Sequence, residues 1–351
     1  MNFPKNLLIV RTDRIGDVVL SLPLAGIVKK HYPDCRITFL VRNYTKDIVR
    51  DHPFIDDILV LAEKNGKTKF FQNIKNISLK EYDCAIIVYP TFLISLIVFF
   101  SRIAQRIGTG FRWYSFLFNK KVFVHRKFAE KHELEFNVDL LKEINIVQQI
   151  TPEDISFDLR VNPVSKNEVD ELLLKNGIKK DEPIIIVHPG SGGSAVDLPL
   201  AKLREIIFLL SSKLNAQIIL TGAKSEIDLC ESLKISDSVK NFAGEFSLQQ
   251  LVALISFADI FISNSTGPIH MAAAVGKYVV GFYPKILSCS AKRWGPYSTK
   301  SLIFTPEINC ENCTREKCEK LNCMDSISVE NVFVEINNIY KFIVNNGEFN
   351  A

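Results

Sequence analysis

Residues 259–284 read DIFISNSTGPIHMAAAVGKYVVGFYP, and the succession of residue types in this stretch decides the fold. The apolar run Ile260-Phe261-Ile262 is bounded by Asp259 and by the polar cluster Ser263-Asn264-Ser265-Thr266-Gly267-Pro268, the pattern of a buried strand ending in a loop. Residues 269–275 are good helix formers; Pro268 suits a first helical position and Gly276 a left-handed C-cap. Tyr278–Phe282 spells the next strand. Strand, small-residue loop, short helix and strand form a βαβ unit of a parallel sheet, which takes ligands beyond the carboxyl ends of its strands. Ser265, Thr266 and Gly267 fall at that position, where the N–H groups of a helix N-terminus favour an anion. Ser265 and Thr266 also suit plain helix caps, and both readings stand at this point.

The 351 residues suffice for two domains of ordinary size, and 47% hydrophobic with 23% charged residues is the composition of a folded chain. The net charge of +4 is uneven: residues 1–150 carry 23 Lys and Arg against 15 Asp and Glu, the remainder 20 against 24. A basic first half implies an anionic partner, either a phosphorylated or carboxylated substrate or a membrane face. No nucleic-acid recognition motif accompanies it, so nucleic acid is not expected as a partner. Met1–Lys5 runs straight into a strand-like segment with no small-residue cleavage site after it, and a cytoplasmic location is expected. Residues 84–100, CAIIVYPTFLISLIVFF, are uncharged but fall short of the roughly 20 residues of a spanning helix. Pro90 divides them, and they read as a strand followed by an apolar helix.

The same grammar recurs near the start of the chain. Asn6–Arg11 is a buried strand, Thr12-Asp13-Arg14-Ile15-Gly16-Asp17 a loop, and Val18–Tyr32 an apolar-periodic helix that Pro23 kinks or restarts. Asp17 can serve as an N-cap carboxylate, yet Arg11, Asp13 and Arg14 crowd the same strand end, where a pocket belongs. Ile58–Leu61 and Ala85–Val88 read as further strands, and residues 65–80 as a charged, exposed connection. Between Arg102 and Lys131 eight basic residues and one acidic residue are interleaved with Phe111, Trp113, Tyr114, Phe116 and Phe118. That mixture suits a headgroup surface or an anionic lipid-linked acceptor, and equally a solvated basic face. The connection between domains is expected within residues 145–182.

The second half restarts the pattern. Pro183–Val187 is a buried strand, and His188-Pro189-Gly190-Ser191-Gly192-Gly193-Ser194 a loop whose missing side chains let backbone N–H groups approach an anion. No Gly-Lys-Ser/Thr follows, so it is not a Walker loop, and no G-x-G-x-x-G occurs to support a dehydrogenase. Gln217–Leu220 is another strand, ending in Thr221-Gly222-Ala223-Lys224-Ser225-Glu226.

Taken together, the segments IVRTDRIGDVVLSLP (residues 9–23), IIIVHPGSGGS (184–194), ILTGAKSE (219–226) and FAGEFSLQQLVALISFADIFISNSTGPIHMAAAVG (242–276) resemble, in order and spacing, those of glycosyltransferase family 9. That family comprises the ADP-heptose:lipopolysaccharide heptosyltransferases. The resemblance implies an α/β fold of GT-B type, two doubly wound Rossmann-like parallel-sheet domains facing across a cleft. Residues 1–160 would bind the acceptor and 161–351 the nucleotide sugar, with a C-terminal helix able to pack back on the first domain. It also implies inverting transfer with no metal or other cofactor. An acceptor hydroxyl attacks the anomeric carbon as the nucleotide diphosphate leaves, which calls for a general base and for positive partial charge near the phosphates. By the resemblance Asp17 takes the place of the catalytic carboxylate, and Arg11, Asp13 and Arg14 attend the acceptor. His188, Ser191, Gly192, Gly193, Thr221, Gly222, Ser265, Thr266, Gly267 and His270 attend the donor, and Glu226 meets its ribose hydroxyls. The implied partners are a nucleotide-sugar donor with ADP-heptose favoured, an anionic glycolipid acceptor and, peripherally, the inner-membrane surface.

Two departures fall on the donor side. Many relatives carry Asp-Ser-Gly or Asp-Thr-Gly where this chain has Ser265-Thr266-Gly267, and Lys-x-Trp-Pro where it has Val196-Asp197-Leu198-Pro199. Lys202 or Lys224 could supply the missing cation. Alternatives within the fold are a nucleotide-sugar epimerase and a binding homologue without catalysis. Cys310, Cys313, Cys318 and Cys323 form a C-x2-C-x4-C-x4-C group that suits either a structural metal or a loop of reduced or redox-variable thiols. Cys35, Cys84, Cys230 and Cys289 are dispersed and read as small apolar packing residues.

Overall fold

The computed structural model describes residues 3–308 and 313–347. The chain divides into two compact units, Met1–Arg160 and Val161–Ala351, each built on a six-stranded sheet. The first unit holds β1 (Asn6–Val10), β2 (Arg36–Val41), β3 (Asp57–Val60), a short hairpin of β4 (Glu63–Lys64) and β5 (Lys67–Thr68), then β6 (Cys84–Ile87), β7 (Gln105–Thr109) and β8 (Lys120–Val122). Its sheet is parallel in the order β3-β2-β1-β6-β7-β8. The second unit holds β9 (Ile184–His188), β10 (Gln217–Leu220), β11 (Val239–Asn241), β12 (Ile260–Asn264), β13 (Tyr278–Phe282) and β14 (Ser301–Phe304). These are also parallel, in the order β11-β10-β9-β12-β13-β14.

Each order reverses beside the unit's first strand, between β1 and β6 and again between β9 and β12. The space beyond the carboxyl ends of these pairs is therefore the ligand position of each sheet. The central strands are apolar throughout because helices cover both faces of a parallel sheet. Leu7–Val10 and Ile184–Val187 are fully buried. Ile186 stands in register with Ile219 on one side and Phe261 on the other. In the second unit the helix Val329–Asn346 starts on Ser328, whose hydroxyl accepts from the Asn331 N–H at 3.1 Å. It lays Val332, Ile336 and Ile343 on the core that includes Leu203, Ile207 and Leu210.

Several local expectations change. Pro23 restarts the helix, giving Ile15–Val19 and then Pro23–His31. Residues 65–80 are no plain connection, since they hold the hairpin's second strand and the helix Phe70–Ser78. Phe70, Ile74 and Ile77, spaced at one face of a helix, pack on the first unit's core, a periodicity diluted by Gln72, Asn73, Lys75 and Asn76. Residues 145–182 contain the helix Pro163–Lys175, capped by Asn162, whose side-chain oxygen accepts from the N–H groups of Val164 and Ser165. The uncharged run resolves into β6 and a nine-residue helix, Phe92–Phe100. Among the described residues no helix is long and apolar enough to cross a membrane.

Candidate functional site

In the first unit the loop after β1 is organised around Arg11, which is fully buried. A buried guanidinium is stable only when its donors meet acceptors and its charge meets counter-charge. Nε donates to Asp13 Oδ1 at 2.7 Å, Nη2 to Asp17 Oδ1, and Nη1 lies 3.6 Å from Glu133 Oε1. Nη1 also reaches Asn137 Oδ1 at 3.4 Å, and the guanidinium stands over the Tyr89 ring at 5.9 Å. Burial alone would lower the Arg11 pKa, but the charges of Asp13, Asp17 and Glu133 hold it above the ordinary value. Burial, with the neighbouring Asp17 charge, pushes the Asp13 carboxyl up to about 6 against the opposing pull of Arg11. The Asp17 side chain keeps 14% of its surface exposed, enough to meet a substrate.

The local fold puts Asp17 in the first turn of the helix Ile15–Val19, whose cap position is Arg14; the capping role considered for Asp17 is not realised. Asn137 locks this arrangement. Its amide donates to the Leu20 carbonyl at 3.0 Å and to Ser21 Oγ at 3.4 Å, and Ser21 Oγ donates to the Asp17 carbonyl at 2.8 Å. Arg126 binds the same pair from the other side, pairing with Glu133 and reaching Asn137 Oδ1 at 3.2 Å. Glu133 and Asn137 were not foreseen in the sequence. Their one signal is a polar pair at i and i+4 on the inward face of a short helix, Glu133–Asp139.

In the second unit the loop after β9 and the turn after β12 meet at the switch point. Gly192 and Gly193 both take left-handed φ, +56° and +75°, and both are exposed, so two successive backbone units turn outward with open space where a Cβ would stand. Asn264, which sequence reading passed over, staples the two neighbouring segments. Its side chain donates to the Pro189 carbonyl at 2.7 Å and accepts from the Leu198 N–H at 2.9 Å. Glu226 lies against the loop: a Cβ placed on Gly190 would come within 1.7 Å of Glu226 Oε1, and one on Gly222 within 3.1 Å of Oε2. Glu226 Oε2 accepts from the Ala223 N–H at 2.7 Å. Ser191 is buried, and Gly222 accepts through its carbonyl from the Gly244 N–H at 2.8 Å.

Several of the side chains expected at the donor are buried. The His188 ring is buried, pairs through Nδ1 with Thr221 Oγ1 at 3.0 Å, and is held neutral with a pKa of about 4 by burial. His188 and Thr221 thus join the ends of β9 and β10. His270 is likewise buried, on the helix Gly267–Ala274. That helix begins at Thr266 with no side-chain cap bond, and Ser265 bonds the buried Tyr283 phenol instead. The hydroxyls therefore leave the first amides of this helix uncapped, against the simple capping reading. Lys202 is committed to the Ile327 carbonyl at 2.9 Å. Arg315, which no sequence signal marked, reaches the glycine loop: Nη1 and Nη2 both lie 3.3 Å from the Gly193 carbonyl, and Nη2 donates to the Ala195 carbonyl at 2.5 Å.

Arg315 rides on the cysteine segment. Cys318 and Cys323 are buried with Ile286, and Cys313, Val196 and Cys289 pack around them, so Cys289 belongs with this group and not with the dispersed thiols. Cys310 lies outside the described residues. Among the described residues no three His, Cys, Asp or Glu side chains are placed to hold a metal ion. Cys35 and Cys230 are packed thiols whose pKa burial pushes up to about 11 and about 12.

Comparison with known proteins bears on this arrangement. The sequence model of glycosyltransferase family 9 (heptosyltransferase) matches residues 69–324. A putative glycosyltransferase of Haemophilus influenzae is 28% identical over 345 residues, 95% of this chain and 96% of that protein. The glycosyl transferase family 9 structure from Veillonella parvula superposes with a TM-score of 0.80 at 15% identity, covering 96% of this chain and 97% of the other. The ADP-heptose LPS heptosyltransferase II of Escherichia coli gives 0.77 at 19% identity, over 95% and 98%. The two sheets thus have the GT-B type fold of these transferases, and the chain belongs to glycosyltransferase family 9.

Proposed function

We propose that this glycosyltransferase moves a sugar, with heptose favoured, from a nucleotide-diphosphate donor to a lipopolysaccharide-core or related envelope glycan. The first unit takes the acceptor and the second the donor. The reading rests above all on the Asp17 carboxylate, held by the buried Arg11 at the switch point of the first sheet. Asp17 accepts the proton of the acceptor hydroxyl as its oxygen attacks the anomeric carbon. The bond to the diphosphate oxygen breaks on the opposite face, and configuration inverts. The leaving charge falls to backbone amides, those of the Gly192 and Gly193 loop and of the uncapped helix start at Gly267, with no metal required. Glu226 accepts from the ribose hydroxyls. An ADP-heptose donor is favoured by the likeness to the Escherichia coli ADP-heptose LPS heptosyltransferase II. An anionic glycolipid acceptor puts the enzyme at the cytoplasmic side of the inner membrane as a peripheral protein.

Incubation with a panel of nucleotide sugars, following nucleotide diphosphate release with and without a delipidated core acceptor, tests this. Acceptor-dependent release with ADP-heptose is expected. Interconversion of the donor sugar without release would instead identify an epimerase, and binding with neither would identify an inactive homologue. Asp17→Asn is expected to bind donor normally and to lose about 100-fold or more in kcat. Full turnover by that variant refutes the assignment of the base.

A further inference from the structure

The strands β1, β6, β7 and β8 are parallel, so the segments that follow them emerge at one end of the first sheet, the end that carries Asp17. The segments beyond β6, β7 and β8, from that end back along the sheet, carry aromatic side chains the core does not use. Trp113 is 73% exposed, Phe116 65%, Phe123 64% and Phe128 54%. Trp113, Phe123 and Phe128 are ordered by contact with further aromatic rings. Phe92 packs on Trp113 with centroids 4.7 Å apart, Phe111 on Phe123 at 5.6 Å, and His125 stacks on Phe111 at 3.5 Å. Arg112, Lys121 and Lys127, in or next to the same segments, are exposed. From Arg102 to Lys131 the only carboxylate is Glu130.

We propose that this face docks on an anionic lipid bilayer, with the aromatic rings in the interfacial zone and the basic groups on the headgroups. The inference rests on the reading of the acceptor as a membrane-borne glycolipid and names the surface that meets the membrane. Aromatic residues with wetted edges favour the water–lipid boundary, and lysine and arginine can lay their stems along it with their charge outward. The charge argues against the alternative of a second copy of the chain. A symmetric contact would set this one-signed surface against itself, whereas anionic headgroups complement it. The face is also joined to the reactive carboxylate. Arg126, in the turn between His125 and Phe128, binds Glu133 and Asn137, the two groups that hold Arg11 from behind. Docking therefore sets the Asp17 end of the unit toward the bilayer, and the acceptor sugar need not leave its lipid.

The test is co-sedimentation of the full chain with phosphatidylglycerol/phosphatidylethanolamine vesicles and with phosphatidylcholine vesicles, beside transfer to a delipidated acceptor. The wild type is expected to bind the anionic vesicles, salt-sensitively, and the zwitterionic ones weakly. Arg112→Gln/Lys121→Gln/Lys127→Gln should weaken anionic binding by roughly 100-fold, about fivefold per charge. Trp113→Ser/Phe116→Ser/Phe123→Ser should weaken it by about tenfold or more. Both should keep their circular dichroism and their turnover of the delipidated acceptor; if the aromatic triple variant fails to fold, Trp113→Ser alone is read. Wild type that ignores anionic vesicles overturns the proposal, as do variants that sediment like wild type. Variants that raise KM for the delipidated acceptor with vesicle binding intact also overturn it, making the face a sugar subsite. Loss of a dimer in the aromatic variant, with vesicle binding unchanged, overturns it in favour of self-association. Vesicle binding that follows the expected pattern in a protein inactive on every donor would sustain the docking face and defeat the functional reading.

Discussion

Replacing Gly190 by alanine offers a sharp test of where Glu226 acts. The backbone at Gly190 does not take a positive φ, so alanine is tolerated conformationally, and the obstacle is the carboxylate. The new Cβ would stand 1.7 Å from Glu226 Oε1 and 2.4 Å from its Cδ, so the side chain must swing away by more than a bond length. That breaks the 2.7 Å bond from the Ala223 N–H, a loss of about 1 kcal/mol in stability, partly offset by the smaller chain entropy of alanine in the unfolded state. The functional effect is larger. Hydrogen bonds to a charged group contribute about 1.5–3 kcal/mol, so donor affinity should fall roughly tenfold to 100-fold if Glu226 holds the ribose. Calorimetric titration with the nucleotide diphosphate measures the affinity, and thermal unfolding the stability. The decisive comparison is a double-mutant cycle with Glu226→Ala. In that background the clash is gone, and Gly190→Ala should change affinity by less than about twofold. If it weakens binding equally with and without the carboxylate, Glu226 is not the group through which Gly190 matters.

Other consequences can be measured directly. Arg11→Gln leaves Asp13, Asp17 and Glu133 around a buried site without their central cation, and should cost about 3–5 kcal/mol in urea denaturation; a loss below about 1 kcal/mol would contradict the clamp. Arg315→Ala should raise the donor KM about tenfold with kcat little changed, by freeing the Gly193 and Ala195 carbonyls. Arg315→Lys should recover little of this, because one ammonium cannot replace a fork. His188 and His52 are both buried and neutral, with pKa values depressed to about 4. The unfolded chain takes up their protons first. Stability should thus be unaffected by them above about pH 6.5 and fall between about pH 6.5 and 4, by up to about 1.4 kcal/mol per histidine per pH unit. His52→Gln should remove its share of that slope in urea midpoints taken across the range.

What could be read from the sequence follows from how local each feature is. β1, β9 and β12 announce themselves because a strand buried on both faces needs an unbroken apolar run, and the loops after them carry the small and polar residues of a ligand position. The outer strands do not: Gln105–Thr109 and Lys120–Val122 mix polar and apolar residues because they lie toward a sheet edge, and their sequence carries no clear strand pattern. Arg11, Asp13 and Asp17 lie within seven residues, so their convergence was legible. Glu133 and Asn137 meet them across more than a hundred residues, and no local pattern encodes that contact. On the donor side the glycines of the loop made its exposed backbone legible, whereas the inward packing of the His188, Thr221 and His270 side chains depends on tertiary burial that no local pattern encodes.

The same topology repeated in the two units makes their chemical difference informative. At the first switch point the strand end holds one buried cation ringed by three carboxylates, an arrangement that fixes anions in place and leaves one of them, Asp17, reachable by a proton donor. At the second, the strand ends hold glycines and an uncapped helix start, which offer N–H groups to an anion, and the Glu226 carboxylate beside the loop is tied to the Ala223 N–H. In the proposed transfer a leaving phosphate gains charge, and a carboxylate at the helix start itself would repel it. Ser265, at the position where the family resemblance leads one to expect an aspartate, avoids that repulsion. A neutral hydroxyl stands beside the helix start, turned to Tyr283. Ser265→Asp, which introduces that expected carboxylate, should therefore be read through donor affinity as a function of salt. Weaker binding that recovers as salt screens the added charge is the expected result, whereas tighter binding at low salt would mean that the carboxylate contacts the sugar and that charge separation does not govern this site.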